Sequence, residues 1–256
     1  MFYDKYLIPN QEGCRLACLL FLPASQPRFQ MVVAHGFRGA KENSGRIESF
    51  ARKVTAMGGS ILAFDFAGSG ESEGSFSDMT LSRQAYDLQA VIEHSLERDK
   101  SPLIVLGRSF GGSTALVASA REPRVRAVVL WSAPVFLTET FLQSASHGLV
   151  LPTSPMVFED DKGTFTLGPG FAKDLLQHDF VKYLQALKDR PLLVVHGEND
   201  TDVDPKNARF LGEQAVGAVE VHIVPGADHR FTEHQPLREQ ITLQWLNTLL
   251  AEMTTK

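Results

Sequence analysis

Cysteine is scarce in this sequence, and this scarcity excludes a disulfide framework. The two cysteines, Cys14 and Cys18, are four residues apart in one predicted strand. An extended chain rises about 3.3 Å per residue, so their Cα atoms would lie roughly 13 Å apart. A disulfide requires less than about 7 Å between Cα atoms. We therefore expect two free thiols, and two cysteines alone do not make a metal site.

Long apolar runs and clusters of basic residues are also missing. No apolar run approaches the roughly 20 residues of a membrane-spanning helix, and residues 1–6 lack the basic and apolar regions of a signal peptide. A net charge of −5 without a run of Lys or Arg gives no reason to expect a nucleic-acid partner. We expect a soluble, cytoplasmic protein that binds neither nucleic acid nor membrane. The oligomeric state stays open, with a homodimer as one option.

What the sequence does contain is a regular alternation of apolar strands and amphipathic helices. The predicted strands are 2–9, 14–22, 29–34, 60–64, 102–106, 125–131, 191–195 and 219–224. The predicted helices are 44–57, 81–96, 112–120, 207–216 and 233–250, the last with Leu237, Ile241, Trp245 and Leu249 on its buried stripe. This alternation predicts an α/β fold, a mostly parallel doubly wound sheet of about eight strands with helices on both faces.

One segment, residues 134–188, interrupts the alternation and is too long for a plain loop. It contains several phenylalanines and a predicted hairpin around residues 160–163; the phenylalanines are Phe136, Phe141, Phe158, Phe165, Phe171 and Phe180. We predict a core domain made of residues 1–133 and 189–256, and a small cap made of residues 134–188. The cap would cover the carboxyl ends of the strands, where ligands of open α/β sheets bind. Most of its phenylalanines are expected in the cap's own core, and a few at the pocket.

A G-x-S-x-G pattern occurs between a predicted strand and a predicted helix. In residues 107–111, Gly-Arg-Ser-Phe-Gly, the two glycines allow the tight turn that presents the Ser109 hydroxyl above the sheet. The helix that follows directs free N–H groups toward a developing anion. Residues 70–74 fit the same pattern, but Ser72 lies between two glutamates in a loop. Ser109 is therefore the predicted nucleophile.

A serine nucleophile needs a base, and the base needs a group that orients it. His229 follows the last predicted strand, and it alone among the histidines has that position; we interpret His35 and His196 as structural. Asp200, Asp202 and Asp204 share the loop after the preceding strand. Asp200 is the preferred acid because it lies nearest the strand end, whereas Asp204 precedes a proline and is expected to cap the next helix.

An oxyanion intermediate also needs backbone donors that are already in position. The N–H of Phe110, directly after the nucleophile, is one predicted donor. The turn after strand 29–34, His35-Gly36-Phe37, supplies Phe37 as the second. A tight turn without any catalytic role would have the same local sequence.

Taken together, these motifs resemble those of the α/β-hydrolase superfamily. The resemblance covers nearly the whole chain, in the motifs at 35–37, 65–72, 107–111, 196–200 and 226–229. The His-Gly-Phe turn, Gly39-Ala40-Lys41, Met79-Thr80 and the Phe-rich cap are further similar to bacterial cinnamoyl and feruloyl esterases and to serine-aminopeptidase-like hydrolases. The narrower resemblance implies a cap pocket for an aromatic acyl group.

The function predicted from these features is hydrolysis of small carboxylic esters, with no metal and no cofactor. The resemblance adds feruloyl-type esters as a candidate substrate class. A peptidase, thioesterase or acyltransferase with the same three residues is the alternative, and the acidic run 159–161 would suit a substrate α-amine. A binding protein on a hydrolase scaffold is less favoured, because such proteins usually lose one of the three residues.

Overall fold

A computed structural model describes residues 2–142, 151–160 and 163–254 of the protein. The strands are β1 (Phe2–Pro9), β2 (Arg15–Leu22), β3 (Phe29–Ala34), β4 (Gly59–Phe64), β5 (Leu103–Arg108), β6 (Val125–Trp131), β7 (Met156–Asp160), β8 (Gly163–Leu167), β9 (Leu192–Gly197) and β10 (Val219–Val224). The α-helices are α1 (Arg46–Ala56), α2 (Leu81–Arg98), α3 (Phe110–Arg121), α4 (Leu137–Phe141), α5 (Gly170–Leu175), α6 (Phe180–Leu187), α7 (Lys206–Gln214) and α8 (Gln235–Thr254). A short 3-10 helix spans Phe76–Asp78.

Eight of these strands form one twisted sheet in the order β1-β2-β4-β3-β5-β6-β9-β10. The six strands from β4 to β10 pair in parallel, and β1 and β2 add an antiparallel edge. The predicted fold class is therefore confirmed. From β3 the chain adds β4 on one side and β5 on the other, so the strand order reverses between β3 and β5. The carboxyl ends of strands beside such a reversal form a ligand crevice.

Helices cover both faces of the sheet, as the near-continuous apolar strands require. The side chains of β3, β5 and β6 alternate between two buried clusters, one on each face of the sheet. Helices α1 and α8 contribute to the first cluster, which contains Phe50 and Trp245. Helices α2, α3, α6 and α7 contribute to the second, which contains Leu88, Leu116, Leu184 and Leu211. Most residues of β3, β5 and β6 are therefore buried between these layers.

The last helix buries Trp245 and Leu249 as predicted, and Ile241 packs against the same cluster, but its first turn differs from the prediction. Leu237 is 41% exposed, whereas Arg238 and Thr242 are almost completely buried. The Arg238 guanidinium stacks over the Trp131 ring at 4.0 Å from its centroid, and this cation–π contact turns the first turn of α8 toward the sheet. The prediction for Leu237 is wrong, because an apolar periodicity cannot detect a buried arginine.

The inserted segment contains α4, the β7–β8 hairpin, α5 and α6. The predicted hairpin is present, with Asp160 opposite Gly163, and its turn residues 161–162 lie outside the described residues. Phe141, Phe165 and Phe171 pack around Phe37, at centroid distances of 5.6, 5.7 and 6.2 Å. Helix α6 packs on α3 through Leu184 and Leu187. The division into core and cap domains stays a prediction.

In the described part of the chain, no helix combines the length and the apolarity that crossing a membrane requires.

Candidate active site

Ser109 occupies a strained turn between β5 and α3. Its backbone has φ 53° and ψ −130°, a conformation that costs energy for a residue with a Cβ and that recurs at functional sites. The turn depends on glycine at two positions. A Cβ on Gly107 would lie 2.2 Å from the carbonyl oxygen of Gly111, and a Cβ on Gly111 would lie 2.2 Å from the carbonyl oxygen of His35. Because neither backbone oxygen can move away, any larger residue would break the turn.

The loops after β9 and β10 bring Asp200 and His229 to this turn. The Nε2 atom of His229 lies 3.0 Å from the Ser109 Oγ, and its Nδ1 atom lies 2.8 Å from Asp200 Oδ2. Since a carboxylate accepts, Nδ1 carries the proton and Nε2 accepts from the Ser109 hydroxyl. Both distances lie within ordinary hydrogen-bonding range. The hydroxyl, imidazole and carboxylate thus form one continuous chain of hydrogen bonds.

The Asp200 carboxylate is buried and surrounded by donors. Its Oδ1 accepts from the backbone N–H groups of Asp202 and Val203, at 3.0 and 2.8 Å. Its Oδ2 contacts Nε2 of His196 at 3.1 Å as well as His229. Burial alone would raise the pKa of Asp200, but the hydrogen bonds from His196, His229 and Val203 outweigh it and hold the pKa well below its usual value. The carboxylate therefore stays ionised at neutral pH.

The other two aspartates of this loop do not reach His229. Asp202 is exposed to solvent, and only its backbone N–H points at Asp200. Asp204 accepts from the N–H of Lys206 at 2.8 Å, so it caps the start of α7 as predicted. Of the three candidates, the hydrogen-bonded position belongs to Asp200.

The two predicted oxyanion donors belong to two turns that meet at Ser109. Phe110 is the first residue of α3, where an N–H has no acceptor within the helix. Phe37 follows β3, the immediate neighbour of β5, in a turn that Gly39 closes by donating to the Gly36 carbonyl at 2.9 Å. A Cβ on Gly36 would lie 3.0 Å from the Ser109 Cβ, so this turn packs directly against the serine.

The serine of the second G-x-S-x-G pattern has a structural position. Ser72 donates to the Asp65 carbonyl at 2.7 Å and accepts from the Ala17 N–H at 2.8 Å. It therefore ties its loop to β2 and has no histidine partner among these contacts. His35 is also held internally, since its Nε2 accepts from the Phe66 N–H at 3.2 Å.

Comparison with known proteins identifies the family of this chain. Residues 25–162 match the sequence pattern of the family described as serine aminopeptidase S33. The chain belongs to this family. It is 32% identical to human monoglyceride lipase over 140 residues, which cover 53% of this chain and 45% of the human protein. It is 26% identical to a monoacylglycerol lipase of Mycolicibacterium smegmatis over 257 residues, covering 85% and 86% of the two chains.

Among solved structures, this S33-family protein is similar to Est1E of Butyrivibrio proteoclasticus with ferulic acid bound. The TM-score is 0.83 at 21% sequence identity, over 96% of this chain and 99% of Est1E. Such a likeness shows the fold, which is that of the α/β hydrolases. The chain spans about half the length of the human, rat and mouse relatives that it matches.

The cleft of this S33-family protein has a volume of about 780 Å³ and contains both Ser109 and His229. Phe37 and Phe141 give it an aromatic part, and Arg46, Arg108 and Arg230 give it a cationic part. Within the described residues, no group of three or more His, Cys, Asp or Glu side chains is arranged to hold a metal ion.

The sequence interpretation missed one residue at the site, His196. We predicted it to be structural, yet its Nε2 contacts Asp200 at 3.1 Å as well as the Val203 carbonyl at 2.8 Å. Both partners accept, so Nε2 carries the proton. The sequence feature that could have revealed this contact is the four-residue spacing between His196 and Asp200. This spacing brings the two side chains together only because the loop folds back on β9.

Proposed function

We propose that the protein is a serine carboxylesterase that cleaves small carboxylic esters. The observation that carries this proposal is the hydrogen-bond chain from the Ser109 hydroxyl through His229 to Asp200, with distances of 3.0 and 2.8 Å. In this reaction His229 takes the Ser109 proton while Oγ attacks the ester carbonyl. The Phe37 and Phe110 N–H groups stabilise the oxyanion. His229 then protonates the leaving alcohol.

The second half of the reaction uses the same groups in reverse. Water enters the cleft, His229 removes its proton, and the hydroxide formed attacks the acyl group on Ser109. Asp200 stabilises the imidazolium in both halves because it remains ionised. The acid product leaves and Ser109 regains its proton. No step needs a metal ion or a cofactor.

Ester substrates are supported by the relatives and by the cleft. Two sequence relatives are named for lipase activity on monoglycerides, and the solved structure with a high TM-score contains ferulic acid. The aromatic part of the cleft, Phe37 and Phe141, offers apolar contact to an acyl chain or an aromatic ring. We therefore propose short acyl esters first and feruloyl-type esters second.

The aminopeptidase alternative receives less support from the acidic run that suggested it. Asp160 forms an ion pair with Arg38 at 2.6 Å, so its charge is already compensated. Glu159 is exposed on β7, and residue 161 lies outside the described residues. The family description still names an aminopeptidase, so an aminoacyl substrate belongs in any test.

A substrate panel tests the proposal. The panel consists of p-nitrophenyl esters of graded chain length, methyl ferulate, a short-chain monoacylglycerol and an aminoacyl p-nitroanilide. We expect turnover of the esters, with kcat/KM decreasing for long acyl chains, and no turnover of the anilide. A higher kcat/KM for the anilide would make the protein a peptidase. Failure to turn over any member would contradict the assignment as a hydrolase of these compounds.

Replacing His196 by alanine should slow ester hydrolysis by about 10- to 100-fold, since a hydrogen bond to a charged group is removed. The loss raises the pKa of Asp200 because the carboxylate has one donor fewer. The carboxylate then attracts the protonated His229 ring more strongly, so the acidic limb of the kcat/KM profile should move to higher pH. The control is His222→Ala, because His222 is a half-buried residue of β10 that contacts Glu220 at 3.4 Å. A folded His196→Ala protein with an unchanged rate and pH profile would contradict this positioning role.

A further inference from the structure

The arginine that precedes the nucleophile has no anionic partner among the residues that the structure describes. Arg108 donates from Nη1 to the neutral Asn43 side chain, and its Nε is buried without an acceptor among the described residues. No carboxylate lies within 4 Å of its guanidinium in the described part of the chain. A cation removed from water usually requires an anion beside it. Among the described residues, the Arg108 guanidinium therefore has no charged partner, and Arg108 lines the same cleft as Ser109.

Further positive charge surrounds this guanidinium. Burial, and then the proximity of Arg230 and Arg46, lowers the pKa of Arg108. Burial, followed by Arg108, lowers the pKa of Arg238 to about 9, at which it still carries its charge at neutral pH. Arg46 and Arg230 are also connected directly, through a 3.5 Å hydrogen bond from Nη1 of Arg46 to the Arg230 carbonyl. Four guanidinium groups thus share one region of the protein.

Three of the four nearby carboxylates are already engaged with other cations, and the fourth is exposed to solvent. Glu239 binds Lys53 at 2.7 Å, and it is the acidic group that acts on Arg238. Glu42 binds Lys41 at 2.9 Å. At the cleft, Asp160 binds Arg38, while Asp202 is exposed on the loop after β9. None of these four side chains pairs with Arg108, so its guanidinium keeps its charge without an anionic partner among the described residues.

We propose that Arg108, together with Arg46, is an anion subsite that binds a carboxylate of the substrate. This inference rests on the proposed ester hydrolysis and specifies its substrate class. The preferred esters carry a free carboxylate near the scissile bond, together with an apolar or aromatic part. Arg46 and Arg108 line the same cleft as Ser109, and Phe37 and Phe141 line it as well. A planar guanidinium suits a carboxylate because both groups form parallel hydrogen bonds.

Two positions of the carboxylate are compatible with this arrangement, and matched substrates separate them. For the acyl side, the pair is p-nitrophenyl hydrogen glutarate and p-nitrophenyl valerate. For the alcohol side, the pair is 4-(butyryloxy)benzoate and its methyl ester. In at least one pair we expect kcat/KM to be about 10- to 100-fold higher for the anionic member, the size expected of a hydrogen bond to a charged group.

Substitution of the arginines tests whether they cause this preference. Arg108→Gln and Arg46→Gln should each reduce the ratio of anionic to neutral kcat/KM by about tenfold or more, mainly by raising KM for the anionic ester. The control is Arg52→Gln, which removes the same charge from the exposed face of α1, where Arg52 pairs with Glu48. It should leave the ratio as in the wild type.

A second measurement is independent of turnover. Titration calorimetry of the wild type should detect binding of 4-hydroxybenzoate and not of 4-hydroxybenzamide, and Arg108→Gln or Arg46→Gln should weaken the former. If no ester is hydrolysed but this pattern holds, the proposed function fails and the subsite stands. If the Arg108→Gln variant does not fold, the inference is tested by the Arg46→Gln variant and by the comparison of benzoate and benzamide binding to the wild type.

Three results would overturn the inference. The first is equal or faster hydrolysis of the neutral member in both substrate pairs. The second is an equal fall of kcat for both members in Arg108→Gln, which would mean that the guanidinium acts on the transition state of every ester. The third is equal binding of the benzoate and the benzamide to the wild type.

Discussion

Replacing Ser109 by alanine should abolish ester hydrolysis, with kcat falling by about five to six orders of magnitude. Losses of this size occur when the nucleophile of such a hydrogen-bonded triad is removed, since the members act as a unit. The remaining rate would come from the oxyanion donors and from binding. The measurement is kcat for p-nitrophenyl butyrate. Labelling by a fluorophosphonate, which should modify the wild type and not the variant, provides an independent check.

The matched control for Ser109 is Ser72→Ala, because both serines occupy the same G-x-S-x-G pattern. Ser72 makes two hydrogen bonds to its own loop and to β2, so its loss should reduce the free energy of unfolding by about 1–3 kcal/mol. The catalytic rate of folded Ser72→Ala protein should stay near that of the wild type. Full activity in Ser109→Ala, or inactivity in folded Ser72→Ala, would refute the assignment of the nucleophile.

Replacing Asp200 by asparagine should lower kcat by about 10⁴-fold with little change in the fold. The asparagine oxygen would still accept from the Asp202 and Val203 N–H groups, so its NH₂ group would face His229 and His196. An NH₂ group donates, and His229 would have to accept through Nδ1. Its proton would then sit on Nε2, where it blocks removal of the Ser109 proton.

Asp202→Asn is the companion variant and should change the rate by no more than a few fold. The Asp202 side chain is exposed, and its contribution to the site is a backbone N–H that the substitution keeps. Both variants should be compared with the wild type by kcat/KM and by urea unfolding. The reverse pattern, with activity lost in Asp202→Asn and kept in Asp200→Asn, would assign the acid to Asp202.

The two largest predictions differ in how far local sequence supports them. The strand, turn and helix around Ser109 lie within about twenty consecutive residues, and their structure follows from side-chain size, because only glycine fits at 107 and 111. Asp200 depended on a longer inference, the position of a loop at the end of a predicted strand. The structure brings Asp200 within 2.8 Å of His229 because the carboxyl ends of parallel strands share one edge of the sheet.

Two residues have contacts that could not be predicted from the sequence. His196 ends β9 before a glycine and has the sequence context of a structural histidine, yet its Nε2 reaches Asp200. Leu237 fits the apolar period of α8, yet Arg238 takes the buried position against Trp131. In both cases, the contact that determines the position of the side chain depends on loop folding or sheet packing. The apolar periodicity of a single segment contains no information about such a contact.

The sequence by itself determined the alternation of strands and helices, the α/β architecture and the identity of the serine, histidine and aspartate candidates. These depend on side-chain size, apolar periodicity and order along the chain, which are local properties. Only the tertiary structure decided which aspartate reaches His229, that His196 supports it, and that Arg46, Arg108 and Arg230 gather at the cleft. Arg46 lies on α1, Arg108 on β5 and Arg230 in the loop after β10. These side chains approach one another only after the sheet has brought the three segments together.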